Sequence, residues 1–371
     1  MKSTFGGVFQ GMPVLVTGHT GFKGSWLSVW LTELGAKVVG YSLDPPTIPS
    51  NFETSRLAQH VVDVRDDVRK LDALCRVIDE FKPQIVFHLA AQAIVRASYS
   101  DPKDTFDINV GGTVNILEAI RLTDSVKAAV CITSDKCYEN QEWIWGYREI
   151  DRLGGHDPYS ASKAMAELAV ASYRQSFFSV ERYEEHGVAT ASVRAGNVIG
   201  GGDWGQDRLV SDSVRALVEG QTIRIRNPHS VRPWQFVLEP LSGYLWLAAK
   251  LFREGSKFAD AWNFGPSERL AVNVQNLVER LIELWGTGDW EDASSGQAPH
   301  ETGLLRLSWE KAANRLGWRP VYVWHEALAE TAAWYKKYYA GGTSGDMYDT
   351  CVEQIRRYVG RARELDLAWA L

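Results

Sequence analysis

The stretch MPVLVTGHTGFKG, residues 12–24, decides how the rest of the chain is read. An apolar run of strand length enters a turn carrying Gly18, Gly21 and Gly24. FKGSWLSVWLTELG (22–35) follows with helical length and Gly35 as its stop signal. Strand, glycine turn and helix in that order open a βαβ unit. Strand-like runs recur at KVVGYSL (37–43), HVVDV (60–64), QIVFHLAA (84–91), KAAVCITS (127–134) and VATASVRAGNV (188–198). Helical stretches lie over 66–81, 104–122 and PYSASKAMAELAVASYRQSF (158–177), the last opened by Pro158 in its first turn. This alternation predicts an α/β fold, a Rossmann-type doubly wound parallel sheet with helices on both faces.

The alternation ends near residue 200. GGGDWGQDR (200–208) has loop composition, a helix is expected over 209–219, and TIRIRNP (222–228) is a short apolar–basic run. Further helices are predicted at LSGYLWLAAKLF (241–252), VNVQNLVERLIELWG (272–286) and WHEALAETAAWYKKYY (324–339), with a short strand at AWNFGP (261–266). The expected organisation is a dinucleotide-binding domain over 1–198, with segments around 232–266 returning to it. A smaller mixed α/β lobe over 199–371 is expected to close on the sheet. GTGDWEDASSGQ (286–297) reads as a surface loop.

Composition narrows the function classes. The chain has 371 residues, 45% hydrophobic, and a net charge of −6 with no basic stripe, which argues against nucleic acid and anionic membrane as partners. Cys75, Cys131, Cys137 and Cys351 show no CxxC spacing, so neither a metal ribbon nor a disulfide framework is expected. With one lysine and no long apolar region before the first strand, no signal peptide is expected, and no apolar stretch approaches the roughly 20 residues that span a bilayer. The expectation is a soluble cytoplasmic protein.

Glycines at the first strand–helix junction let backbone approach a pyrophosphate, while the helix start offers free N–H groups. Asp44 closes the second strand, where a carboxylate holds ribose hydroxyls and repels a 2′-phosphate, favouring NAD over NADP. A plain turn residue before Pro45 and Pro46 is the other reading of Asp44. Asp63, at the end of the third strand, is placed either at the adenine edge or as an ordinary strand-end carboxylate. A second group is Tyr159-Ser-Ala-Ser-Lys163: residues four apart share one helical face, so an ammonium stands beside a phenol and favours its deprotonation. Ser134, after the fifth predicted strand, supplies a partner hydroxyl. The set reads as hydride transfer between a carbinol carbon and NAD.

TGHTGFKG, FHLAAQ (87–92) and the YxxxK motif together resemble the extended short-chain dehydrogenase/reductase family. Thr20, Phe22, Val64, Ala90 and Ala91 complete the cofactor-binding set that the resemblance implies. RAGNVIGGGDWGQDRL (194–209) and NPHSVRPWQFVLEPL (227–241) are similar to the family's nucleotide-sugar loops, which implies Arg96, Asn197, Arg208 and Arg232 as substrate contacts. Trp204 and Trp234 are read as packing residues. Asp135 and Lys136, following Ser134 within TSDKCYEN (133–140), resemble the acid–base pair of the nucleotide-sugar 4,6-dehydratases. Lysine at the second place, with AAQAIVRASY, GGGDW and RPWQ, is similar to the CDP-glucose branch. Ser134, Ala93, Ser211 and Phe236 depart from that pattern, and Phe236 is expected to remove a polar group beside the diphosphate loop.

The resemblance implies C4 oxidation through Tyr159, Lys163 and Ser134, elimination across C5 and C6 with Asp135 as acid, and reduction at C6 with NAD regenerated. This belongs to deoxysugar biosynthesis of the O-antigen type. Two versions of Lys136 stand: a neutral base for the C5 proton, or a charged group polarising the ketone or leaving hydroxyl. The alternatives are a 4-epimerase, a dehydratase acting on a dTDP- or GDP-hexose, and a non-catalytic NAD-sensing protein. The resemblance also implies a homodimer or homotetramer through the YxxxK helix.

Overall fold

The computed structural model describes residues 1–267, 272–294, 304–341 and 346–371. Its sheet is built around β1 (Pro13–Thr17), whose Val14, Leu15 and Val16 are fully buried. β1 pairs in parallel with β2 (Lys37–Ser42), Val14 opposite Val38, and with β4 (Ile85–His88), Val14 opposite Ile85. Outside β2 lies β3 (Val62–Arg65). Outside β4 come β5 (Ala128–Ile132), β6 (Ala189–Ala195) and β11 (Ala261–Phe264). The order is β11-β6-β5-β4-β1-β2-β3, every pair parallel, which is the predicted doubly wound sheet. Strands such as AAVCI are buried throughout because helices cover both faces, hence their unbroken apolar runs. Three two-stranded pairs stand apart: β7 (Val198–Ile199) with β10 (Gln235–Phe236), β9 (Val231–Arg232) with β12 (Val272–Asn273), and β8 (Ile223–Ile225) with β13 (Trp290–Asp292).

Helix α1 (Phe22–Glu33) is apolar almost all round, and Trp26, Leu27, Val29, Trp30 and Leu31 are all buried. A helix of that kind needs cover on both sides. The sheet gives one side; part of the other comes from a C-terminal helix, Tyr348–Glu364, against which Trp30 packs edge-on to Tyr358 at 5.9 Å. No helix is predicted from the sequence beyond residue 339. The buried positions Tyr348, Cys351, Val352, Ile355, Tyr358, Val359 and Ala362 do recur every three or four residues, but the intervening charges dilute the signal.

Three further expectations are corrected. The third strand runs Val62–Arg65 rather than 60–64, so Asp63 stands near its start rather than at its end. The helix over 104–122 is interrupted: Pro102–Phe106, a π turn Asp107–Gly111, then Gly112–Arg121. Within the supposed surface loop 286–297, Trp290–Asp292 is a strand paired with β8, and the half-buried Trp290 packs on the core. Three residues are too few to show an alternation; positions 295–297 lie outside the described residues.

One buried carboxylate ties the C-terminal segments to the core. Glu239, in the helix Leu238–Glu254, accepts the Val321 and Tyr322 backbone N–H groups at 2.9 and 2.6 Å and the Tyr358 hydroxyl at 2.8 Å. Burial pushes its carboxyl up to about 7 against the pull of these donors. Glu239→Ala removes the acceptor these three donors share, so urea unfolding is expected to show a loss of about 3 kcal/mol. An unchanged midpoint contradicts this role. No helix among the described residues is long and apolar enough to cross a membrane.

Candidate active site

β2 and β4 flank β1 on opposite sides, so the chain's connections diverge there and a crevice opens beyond the strands' carboxyl ends. A hydrogen bond stitches the crevice floor: Thr17 Oγ1 lies 2.8 Å from His88 Nδ1, joining the ends of β1 and β4. Burial, reinforced by the Lys163 charge, drives His88 down to about 3, so it stays neutral.

The glycine turn shows why only glycine serves at two positions. Gly18 has φ +76°, and a Cβ there would stand 2.7 Å from the Ala90 amide nitrogen. A Cβ on Gly24 would be 2.0 Å from the Gly18 carbonyl oxygen, so the helix packs directly on the turn. At Gly21 a Cβ meets nothing closer than 3.4 Å. Gly21 is also the N-cap of α1 and brings no side-chain cap, so the protein leaves the first-turn N–H groups to another acceptor. An open approach, uncapped N–H groups and the positive helix end fit the pyrophosphate of a dinucleotide.

The remaining expected cofactor residues are placed unevenly. Thr20 turns inward, its hydroxyl 2.8 Å from Ser42 Oγ and 3.1 Å from the Leu43 carbonyl, and so fastens the turn to the end of β2. Phe22 is half-buried and faces Gly200, where a Cβ would come within 3.1 Å of its ring. Asp44 is exposed beyond β2, 3.6 Å from Arg65. The Asp63 carboxylate is engaged by His19 Nε2 and Arg65 Nε, both at 2.8 Å. Val64 follows it half-buried, and Ala90 and Ala91 line the exit of β4.

Ser134, Asp135 and Lys136 come together because β5 ends at Ile132. Ser134 then caps a single 3₁₀ turn, Asp135–Cys137, accepting the Lys136 N–H at 3.2 Å. Leaving strand geometry there lets adjacent side chains share one pocket instead of facing opposite ways. The Ser134 hydroxyl donates to Asp135 Oδ1 at 3.0 Å. Asp135 is buried; desolvation raises its carboxyl above the usual range, although Lys136, Ser134 and Lys23 oppose the shift. Lys136 is half-buried beside it.

Tyr159 and Lys163 project from the long helix Pro158–Ser176, which starts on an Asp157 cap and Pro158. Tyr159 is buried and hydrogen-bonded to Ser134. Burial nonetheless pushes the phenol up to about 12, with Ser134 and Arg208 pulling it down. The sequence points to Lys163 as the cation lowering this phenol; in the folded chain Arg208 is the cation acting on it. Lys163 reaches the Ile132 carbonyl at 3.5 Å, and burial, with Lys23 adding, brings it to about 8.

The expected substrate residues stand on the connections before and after β7, on β9 and on the short helix Val95–Ser100. Asn197 is half-buried after β6, and its carbonyl accepts the Gln235 N–H at 3.0 Å. Arg208 pairs with Asp203 at 2.6 Å. Arg96 is exposed and pairs at 2.9 Å with Asp207, which Arg226 also meets at 3.3 Å. Arg232 is half-buried in β9. Trp204 packs edge-on against Trp334, Tyr335 and Tyr338, as expected of a packing residue. Phe236 is paired with Ile199, and its side chain is fully buried, edge-on to Trp26 and tilted over Tyr322, so it belongs to the core.

Sequence reasoning missed Lys23, inside the glycine motif, which burial and Arg208 bring down to about 8 while Asp135 opposes. It also missed Asn109 of the π turn, which donates to the Gln92 carbonyl at 3.0 Å and Ser162 Oγ at 2.9 Å. Neither stands in a spacing that signals chemistry. Among the described residues no three His, Cys, Asp or Glu side chains gather as a metal site.

Residues 14–265 match the family model described as the NAD dependent epimerase/dehydratase family. The chain is 52% identical over 337 residues, 90% of its length, to CDP-glucose 4,6-dehydratase of Salmonella typhimurium, covering 93% of that protein. Among solved structures, the dTDP-glucose 4,6-dehydratase of Streptomyces venezuelae, with NAD bound, superposes with a TM-score of 0.74 at 22% identity, over 88% of this chain and 97% of the other. UDP-glucose 4-epimerase of Thermotoga maritima, with UDP-glucose, does so with a TM-score of 0.72 at 23% identity, over 88% and 100%.

Proposed function

Since the chain belongs to the NAD dependent epimerase/dehydratase family, we propose that it is a nucleotide-sugar 4,6-dehydratase that converts CDP-D-glucose to CDP-4-dehydro-6-deoxy-D-glucose and water. The observation that carries this reading is the buried turn of Ser134, Asp135 and Lys136 beside Tyr159. It sets an acid–base pair next to a redox hydroxyl–phenol pair. A 4-epimerase needs only the second pair.

Gly18, Gly21 and Gly24 would hold the pyrophosphate of NAD, with Asp44 at the ribose; the bound cofactor would supply a hydride acceptor facing C4 of the sugar and a hydride donor for C6. Tyr159 takes the proton of the 4-hydroxyl while Ser134 holds the same oxygen; Arg208 supplies positive charge that favours the phenolate, with Lys163 one helical turn from the phenol. The C4 ketone acidifies C5–H, whose proton passes to Lys136, and Asp135, whose carboxyl burial raises above the usual range, gives a proton to the departing 6-hydroxyl. The two protons released, from O4 and C5, match those taken up by water and by C5, and oxidation at C4 matches reduction at C6. Arg96, Asn197, Arg208 and Arg232 serve the nucleotide diphosphate, arginine forks suiting phosphate oxygens. The reaction belongs to deoxysugar synthesis. Met165 and Leu168, 45% and 59% exposed on the Pro158–Ser176 helix, support pairing with a second copy there.

Incubation of the purified protein with NAD and CDP-, dTDP-, UDP- or GDP-hexoses tests this, read by the alkaline absorbance of a 4-keto-6-deoxy sugar. CDP-glucose is expected to respond most strongly. Preference for another nucleotide overturns the nucleobase alone, and silence with all four overturns the dehydratase.

A further inference from the structure

Beneath the catalytic turn lies a buried ion pair to which the chemistry above gives no task. Glu167 follows Tyr159 and Lys163 on the same face of the Pro158–Ser176 helix, at four-residue spacing, and only 3% of it is exposed. Its Oε2 meets the Arg194 guanidinium at 2.6 Å and accepts the Ser192 hydroxyl at 2.7 Å; both partners stand on β6. Its Oε1 accepts the Thr133 hydroxyl at 2.5 Å. Thr133 is the residue before Ser134.

Arg194 carries the network to the other end of the turn. It donates to the Tyr138 phenol oxygen at 2.6 Å and to the Glu149 carbonyl at 3.2 Å, with its guanidinium carbon 4.8 Å from the Tyr138 ring centroid. Tyr138 donates in turn to Asn263 Oδ1 at 2.9 Å, on β11. Tyr138 directly follows Asp135–Cys137. One ion pair therefore grips residue 133 through its carboxylate and residue 138 through its guanidinium, with all three reactive groups of the turn between those points. Burial alone would raise the Glu167 carboxyl, but Arg194 and the hydroxyl donors hold it below its usual value, so it remains an anion.

A buried ion pair is weak ground for stability, since apolar residues of like volume often do as well, whereas its directional bonds fix geometry. We propose that Glu167 and Arg194 are positioning residues that set the catalytic turn from both ends: the Glu167–Thr133 bond aligns Ser134 with Tyr159 for oxidation, and the Arg194–Tyr138 bond aligns Asp135 and Lys136 for elimination. Neither touches the substrate. The inference rests on the dehydratase reading, and it assigns the two grips to different steps.

Two conservative variants separate them. Thr133→Val keeps volume and removes the hydroxyl held by Glu167; Tyr138→Phe keeps the ring and removes the oxygen held by Arg194. Each is compared with the unaltered protein for substrate-dependent appearance of reduced-nicotinamide absorbance, for 4-keto-6-deoxy product formation, for KM and for thermal midpoint. Thr133→Val is expected to slow the absorbance change about tenfold. Tyr138→Phe is expected to leave that change within about twofold, slow product formation about tenfold and leave KM unaltered. Unaltered rates in both variants, or equal slowing of both steps in step with the thermal midpoint, overturn the proposal. An unaltered protein that makes no 4-keto-6-deoxy product from any nucleotide hexose overturns the dehydratase reading instead.

Discussion

Tyr159→Phe is expected to lower kcat roughly 10³-fold, the scale of a general acid–base group, while leaving KM within a few-fold. The phenol is buried and hydrogen-bonded to Ser134, and phenylalanine preserves the ring's packing, so what is lost is the acceptor for the 4-hydroxyl proton. Burial makes that acceptor a reluctant one, pushing the phenol up to about 12. The cation that eases its ionisation in the protein is Arg208, itself tied to Asp203, with Lys163 one helical turn away. The check is steady-state kinetics of the purified variant beside its thermal midpoint. Wild-type turnover at an unchanged midpoint removes Tyr159 from the reaction.

Lys136→Met is expected to split the reaction. Methionine keeps the length of the half-buried lysine but can neither take a proton nor carry charge, so elimination should fall by about 10² or more. Oxidation at C4 depends on Ser134 and Tyr159 and should remain visible as reduced-nicotinamide absorbance on adding CDP-glucose. Both versions of the lysine's role, neutral base and charged electrostatic group, require this result. Dehydration at the normal rate would refute both. The neighbouring Asp135 adds a second handle: desolvation raises its carboxyl, which suits the proposed role of acid.

Much of this arrangement can be read from local sequence because each signal has a local cause. The glycine turn is legible since a positive φ at Gly18 and the close helix approach at Gly24 admit no side chain. Tyr159 and Lys163 are legible because helical geometry puts residues four apart on one face. AAVCI followed at once by TSDK marks a strand end with polar groups clustered at it. What escaped has no local cause. Glu167 continues the Tyr159–Lys163 spacing, yet a glutamate on a helix ordinarily faces water, and only the neighbouring β6 supplies the Arg194 and Ser192 that bury it. Phe236 looked like a missing polar contact until its packing on Trp26 placed it in the core. The strand Trp290–Asp292 and the helix Tyr348–Glu364 exist because distant surfaces, β8 and α1, need cover.

The sequence by itself therefore determined the doubly wound sheet, the glycine turn at its first strand–helix junction and the side chains proposed as catalytic, since spacing along a strand or helix suffices to single these out. Tertiary structure alone decided the surroundings that shift those groups and the hydrogen bonds at both ends of the turn that carries them. Burial and opposite charge act through space, and Asp135, Arg194 and Arg208 meet their partners only once the strands and loops have packed.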